Sequence, residues 1–241
     1  MLLSYADLLE VSFLLFVTFF GSVVTALIAG IAFHEFSHAF VADHLGDRTA
    51  RLQGRLTLNP ARHLDPAGAA LMMIGGFGWG KPVPVNGMRL RNGPKSGMAM
   101  VAAAGPLANL VLAAAAAQPA NFGLVPWRSP FIVPATVRGW DFGDYVGLYL
   151  GAIVIFNIVL AVFNLIPLAP LDGFSVAVGL LPRDLSNSLA RLGQYGPGLL
   201  MLLLVLPFLT QGSISILHEV MSPAINFLTE LLVGAGSRAI R

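Results

Sequence analysis

Residues 11–38 read VSFLLFVTFFGSVVTALIAGIAFHEFSH. From Val11 to Phe33 the run carries no charge and is mostly apolar. At about 1.5 Å per helical residue it reaches roughly 34 Å, enough to cross a hydrocarbon core of about 30 Å. It ends directly in His34-Glu35-Phe36-Ser37-His38, an H-E-x-x-H pattern. Positions i and i+4 share one face of a helix, so both imidazoles can meet one metal ion. Glu35 stands beside them and can act as general base on a water that the metal polarises. Ionisable side chains in a membrane span are costly, about 2.5–3.5 kcal/mol each at mid-bilayer on insertion scales, and usually serve a site. The stretch therefore sets both the environment, a bilayer, and the chemistry, a zinc ion.

Composition agrees with a membrane protein. Of 241 residues, 56% are hydrophobic and 11% charged, against about 25% charged in an average soluble domain. With no cysteine, disulfides and thiolate-bound metals are excluded, and the redox compartment cannot be read. No Lys or Arg precedes the first apolar run, and Asp7 and Glu10 are acidic, so the run reads as a retained span and not as a cleaved signal.

The first helix should continue through His38 to about Asp43, with Gly46 as its stop. Residues 45–65 are polar and basic. Ala67 to Trp79 is apolar but too short and glycine-rich for a span, and reads as a re-entrant or interfacial segment. Lys81-Pro82-Val83-Pro84-Val85 alternates and carries two prolines, which suggests extended, edge-like backbone. Further spans are expected over Gly97–Ala117, Tyr145–Ile166, Leu199–Leu209 and Ile214–Val233. Gly143, Gly147 and Gly151 form a four-residue row suited to close packing of a neighbouring helix. Pro167 and Pro170 break the third span before Asp172-Gly173. The expected fold is an all-α polytopic membrane protein of about five transmembrane helices. A short re-entrant β-like loop follows the first helix. One domain covers 1–241, with its core at 11–182 and C-terminal helices over 196–234.

Charge placement orients these spans. Arg48, Arg51, Arg55, Arg62, Lys81, Arg89, Arg91 and Lys95 all fall between residues 45 and 96. An outside N-terminus with five spans places this basic region in the cytoplasm, as the positive-inside rule asks. His34, His38 and Asp172 then lie near the same cytoplasmic face.

A catalytic zinc site keeps three protein ligands and one open position. Asp172 is the best third ligand after His34 and His38, although Asp172-Gly173 also reads as a turn. His44 reads as interfacial and solvated, His63 as a structural hydrogen-bonding residue, and His218 as a packed histidine of the last span. Asn109 and Asn164 could bond between helices, or hold substrate or the oxyanion of a tetrahedral intermediate.

Several blocks together resemble the site-2 proteases, membrane-embedded zinc metalloproteases that cut single-span membrane proteins. They are His34 to His38, Gly105-Pro106-Leu107-Ala108-Asn109, and Asn164 through Leu171-Asp172-Gly173. Leu45-Gly46-Asp47, Gly54 to Pro60 and Phe77 to Val85 are similar to the compact prokaryotic branch, and the likeness spans about residues 25–182. The resemblance implies one Zn2+ per chain on His34, His38 and Asp172, with Glu35 as base. It implies that Asn109, with Asn164 behind it, helps hold substrate or oxyanion. The loop around Lys81, Val83 and Val85 would pair with an unwound substrate. It further implies a multi-pass protein of a prokaryotic cell membrane, acting in regulated intramembrane proteolysis. Its partners would be single-span membrane proteins and the lipid bilayer, with no nucleic acid; an oligomer is possible but unsupported. The loops leave no room for a PDZ or CBS module. A membrane zinc-binding protein or transporter is the alternative, though it predicts more acidic or histidine sites along a path than the spans offer. A pseudoprotease has little support, since the base and all three candidate ligands are present.

Overall fold

The computed structural model describes residues 8–68, 80–131, 137 and 139–234. Its helices, numbered here from the first long one, are α1 (Phe13–His44), α2 (Gly93–Asn121), α3 (Phe142–Asn164), α4 (Asp172–Leu180), α5 (Arg183–Leu192), α6 (Gly196–Leu209) and α7 (Ile216–Val233). Among the described residues five helical runs are long and apolar enough to cross a membrane: α1, α2, α3, the α5–α6 run Arg183–Leu209, and α7. No strand forms among them; Leu64 and Gly80 make an isolated antiparallel bridge. The re-entrant segment expected over Ala67–Trp79 falls mostly outside the described residues.

Local signals account for the helix ends. Ser12 caps α1 by accepting from Leu15 N–H. The helix runs to His44, and Gly46 at φ +109° turns the chain away, a conformation that only glycine adopts cheaply. Asp141 and Asp144 form a reciprocal capping box on α3. After Asn164, Pro167 and Pro170 cannot continue the helical ladder. Two tight turns, Leu168 N–H to Ile166 O and Leu171 N–H to Leu168 O, reverse the chain instead. This reversal starts α4 at Asp172, so the carboxylate returns to the end of α1 that bears the histidines.

Helices α1, α2 and α3 pack pairwise into a core, with α4 against α2 and α7 against α3. One apolar cluster joins α2, α3 and α7 through Ala113, Ala117, Val154, Ile155, Ile158, Met221 and Ile225. A second joins α1 and α3 through Leu15, Phe19, Val23, Leu27 and Leu148. Helix α6 stands apart and exposes Leu199, Met201, Leu202, Phe208 and Leu209, a surface suited to lipid.

The glycine row of α3 has a different neighbour from the helix its spacing suggests. A Cβ on Gly147 would lie 2.0 Å from Pro126 O, and one on Gly151 would lie 2.0 Å from Arg128 O. The bare backbone therefore seats the incoming 126–128 segment. Arg128 fastens that segment to α3 through Asp144 at 2.6 Å.

Candidate metal centre

His34 and His38 lie one turn apart on α1, with ring centroids 4.6 Å apart and planes at 86°. Both rings are buried. Asp172, first residue of α4, directs Oδ2 to within 3.0 Å of His34 Nε2 and 3.2 Å of His38 Nε2. The ligating atoms of all three lie within 4.8 Å of one another. Among the described residues no other group of three or more His, Cys, Asp or Glu side chains converges in this way.

Proton bookkeeping decides what the cluster can hold. His38 Nδ1 stands 2.7 Å from Val101 O. A carbonyl only accepts, so Nδ1 carries the proton and neutral His38 presents a lone pair at Nε2. His34 Nδ1 meets Asn109 Oδ1 at 2.7 Å, with the same result. Two lone pairs and a carboxylate oxygen then face one point, and Asp172 Oδ2 has no hydrogen-bond donor there. Such an arrangement is repulsive unless a proton or a metal cation sits between the groups. A tetrahedral zinc with bonds of about 2.0–2.1 Å separates neighbouring ligand atoms by roughly 3.3 Å, close to the observed separations. The helix opposite leaves room for the ion: a Cβ on Gly105 would stand 2.5 Å from His38 Nε2 and 2.6 Å from His34 Nε2. The donor set, the orphaned oxygen and this cradle fit a zinc ion.

Glu35 stands outside this triad and faces the loop. Its Oε2 accepts from Val83 N–H at 3.1 Å. The Val83 segment is held at several points. Lys81 N–H donates to His63 O at 2.7 Å. The buried Arg55 guanidinium donates to the carbonyls of Lys81 and Pro82. Asn86 N–H donates to Asp47 Oδ2 at 2.6 Å. Asp47 is fully buried. Burial alone would raise its pKa, but bonds from Thr49 and Asn86 and the nearby Arg89 charge outweigh this and hold it below the ordinary carboxylate value.

The other candidates lie elsewhere. Asn109 is fully buried and bonds His34, Gly30 O and Asn157. Asn164 donates back to Leu160 O within α3 at 2.9 Å. His63 is buried, with Nε2 donating to Thr57 O at 2.7 Å. His44 packs its ring against Phe40, tilted by 33° with centroids 5.1 Å apart. His218 is exposed in the first turn of α7 and not packed among helices. Arg55 and Asn157 carry site contacts that sequence reasoning did not assign. Asn157 offered one signal, as a polar residue two turns before Asn164 in an apolar span; Arg55 offered none.

The chain is similar in sequence to known proteins over most of its length. The chain is 37% identical over 187 residues to "Putative zinc metalloprotease YwhC" of Bacillus subtilis (strain 168), a match covering 76% of this chain and 80% of that protein. It is 28% identical over 232 residues to "Putative zinc metalloprotease Rip2" of Mycolicibacterium smegmatis, covering 94% of this chain and 82% of that one. The Rip2 of Mycobacterium tuberculosis (strain H37Rv) is 27% identical over 198 residues, covering 79% and 69%. No family profile and no solved structure matches. With a metal-ligand triad at the end of an apolar helix and relatives spanning most of its length, the chain belongs to the site-2 protease family.

Proposed function

We propose that this multi-pass membrane protein is a zinc metalloprotease that hydrolyses a peptide bond within or near the transmembrane segment of single-span membrane proteins, with its site toward the cytoplasmic face. One observation carries the reading: Nε2 of His34, Nε2 of His38 and Oδ2 of Asp172 converge beside Glu35 near one end of a spanning helix. His34 follows Phe13 by 21 residues, so it lies roughly 32 Å along α1. That depth is near the far boundary of an apolar core of about 30 Å. The basic residues between 45 and 96 follow on the same side, which supports the cytoplasmic orientation.

His34, His38 and Asp172 would hold the zinc, which supplies Lewis-acid polarisation of the scissile carbonyl and makes a nearby water more acidic. Glu35 takes the proton from the attacking water and returns it to the leaving amine. Val83 N–H fixes one Glu35 oxygen, which aims the carboxylate. Asp172, at the head of α4, holds its oxygen between the two imidazoles. A helical substrate hides its peptide bonds, so it must unwind to reach these groups, and the segment through Lys81, Val83 and Val85 offers backbone against which an unwound stretch could pair. Asn164, whose amide hydrogen goes to its own helix, is read as a packing residue.

The test is proteolysis in a reconstituted bilayer. Purified chain in liposomes with a panel of single-span substrates should yield products whose new termini, mapped by mass spectrometry, lie in or at the edge of the span. Zinc chelation should abolish them, and Glu35→Gln should cut them by about 10²- to 10⁴-fold. Cleavage at the wild-type rate in Glu35→Gln, or products that map only to soluble segments, sinks the reading.

A further inference from the structure

Asn109 joins His34 to a second buried amide, Asn157 on α3, and the two read as one unit. Both are fully buried. Asn157 Nδ2 donates to Ile153 O at 2.8 Å. Asn109 Nδ2 donates to Gly30 O at 3.0 Å and to Asn157 Oδ1 at 2.9 Å. Asn109 Oδ1 stands 2.7 Å from His34 Nδ1.

An amide can be turned end for end, and which end is nitrogen must come from its partners. Here main-chain carbonyls settle both amides. Ile153 O only accepts, so the nitrogen of Asn157 faces it and the oxygen faces Asn109. Gly30 O only accepts, so the nitrogen of Asn109 faces it. That nitrogen has two hydrogens, and the second goes to Asn157 Oδ1. The remaining atom, Asn109 Oδ1, is an acceptor aimed at His34 Nδ1. Turning Asn157 would set two amide nitrogens against each other and its oxygen against Ile153 O, and turning Asn109 would set its oxygen against Gly30 O and Asn157 Oδ1; a buried polar group so mispaired costs about 1–3 kcal/mol.

Asn109 therefore has no hydrogen left for a substrate oxyanion. We propose that Asn157 and Asn109 are positioning residues: a two-amide relay from α3 through α2 that places the His34 proton on Nδ1 and so turns the Nε2 lone pair to the metal. His38 receives the same instruction from a main-chain carbonyl, Val101 O. One ligand is thus set by backbone and the other by side chains, with Asn157 as the outermost member. Gly30 belongs to the arrangement: a Cβ there would lie 2.8 Å from Asn157 Oδ1. The inference rests on the zinc reading of the triad only for its consequence; the proton placement itself is a property of the metal-free chain.

The test uses the chain in detergent, wild type beside Asn157→Leu and Asn157→Asp. Asp at 157, as the buried carboxylic acid, keeps both the oxygen that accepts from Asn109 and a hydrogen for Ile153 O, whereas Leu removes both. Two quantities are read: zinc affinity, by competition with a chromophoric chelator, and the tautomers of His34 and His38 in metal-free protein, by nitrogen-15 chemical shifts. Loss of an outer partner of a ligating histidine typically costs 10- to 100-fold in affinity. With Leu at 157 only Gly30 O still holds the Asn109 nitrogen, so Asn157→Leu should weaken zinc binding about 10-fold and give His34 a detectable Nε2-H population beside Nδ1-H, while His38 stays Nδ1-H. Asn157→Asp should return His34 to a single tautomer and affinity to within about threefold of wild type. Wild-type zinc affinity with an unchanged His34 tautomer in Asn157→Leu overturns the proposal. Equal loss in Leu and Asp variants overturns it as well, because it marks a packing role. A wild-type chain that binds no zinc would break the protease reading, yet the tautomer measurement would still decide the relay.

Discussion

The site has two walls, and they are built differently. The metal wall is helical: His34 and His38 on α1, Asn109 and Gly105 on α2, Asn157 on α3, Asp172 at the head of α4. Its contacts run mostly through side chains whose spacing along regular helices sets where they meet. The base wall is irregular. Glu35 meets Val83 N–H, and Val83 is held by Arg55, His63 O and Asp47 through main-chain groups at either end of its segment. The difference teaches that ligand geometry can be fixed by the bundle while the general base takes its aim from a loop. Metal binding and turnover should therefore separate under mutation.

Glu35→Gln should give the largest split. General acid–base catalysis typically contributes about 10²- to 10⁴-fold, so cleavage should fall by that order while zinc stoichiometry, read by atomic emission, stays at the wild-type value. Loss of zinc along with activity would merge the two walls. Gly105→Ala attacks the metal wall from the opposite helix. Its Cβ would intrude on both Nε2 atoms, so zinc affinity should drop more than about 100-fold, beyond the usual cost of an outer-partner change. Thermal unfolding of the metal-free chain should move far less than affinity does. Near-normal zinc binding would mean that the helices can part at no cost.

Val83→Pro is the reciprocal change. It removes the N–H that Glu35 accepts and leaves the triad untouched. Small misplacement of a reacting group can cost up to about 10²-fold; a fall of about 10-fold in kcat with unchanged zinc affinity is expected, and an unchanged kcat would show that Glu35 is aimed by something else. The smallest effect concerns Asp47. Its lowered pKa means its stabilisation is present above the ordinary carboxylate range, near about pH 4, and is lost as pH falls through the lowered value. Asp47→Asn leaves Asn86 N–H facing an amide nitrogen, at a cost of about 1–3 kcal/mol. The variant should unfold earlier than wild type at neutral pH, and the gap should narrow on acidification. A constant gap would remove Asp47 from the loop's fastening.

The same contrast explains what was legible in the residues. H-E-x-x-H announces two imidazoles on one helical face because the helix repeat is fixed, and Asp172 was findable as an acidic residue at a proline-broken helix end. The five apolar runs followed from composition and length. The Val83–Glu35 contact was not findable, because every residue except proline carries an N–H and nothing in the sequence marks which one is used. Arg55 looked like one more basic loop residue. The glycine row on α3 announced close approach but not by what, since a bare backbone admits a loop as readily as a helix. Asn109 was visible as an unusual polar residue in a span, but whether it faces a substrate or a ligand depends on the turn of one amide, which Ile153 O and Gly30 O decide.

The fastening of the 81–85 segment has a consequence for how the protein avoids its own kind. In extended backbone, successive residues turn their main-chain groups to opposite sides. Lys81 and Val83 direct their N–H groups inward, to His63 O and Glu35. The alternate positions are Pro82 and Pro84, which have no N–H to offer. Residues 81–84 thus have no N–H left to give, and Arg55 already holds the carbonyls of Lys81 and Pro82, so an acceptor for a new strand must come from Val83 or Pro84. Two copies of such an edge cannot zip together, since neither has hydrogens to give, and prolines on an open edge are a known guard against that pairing. Only a strand that brings its own amides, such as a freshly unwound peptide, could form a ladder there.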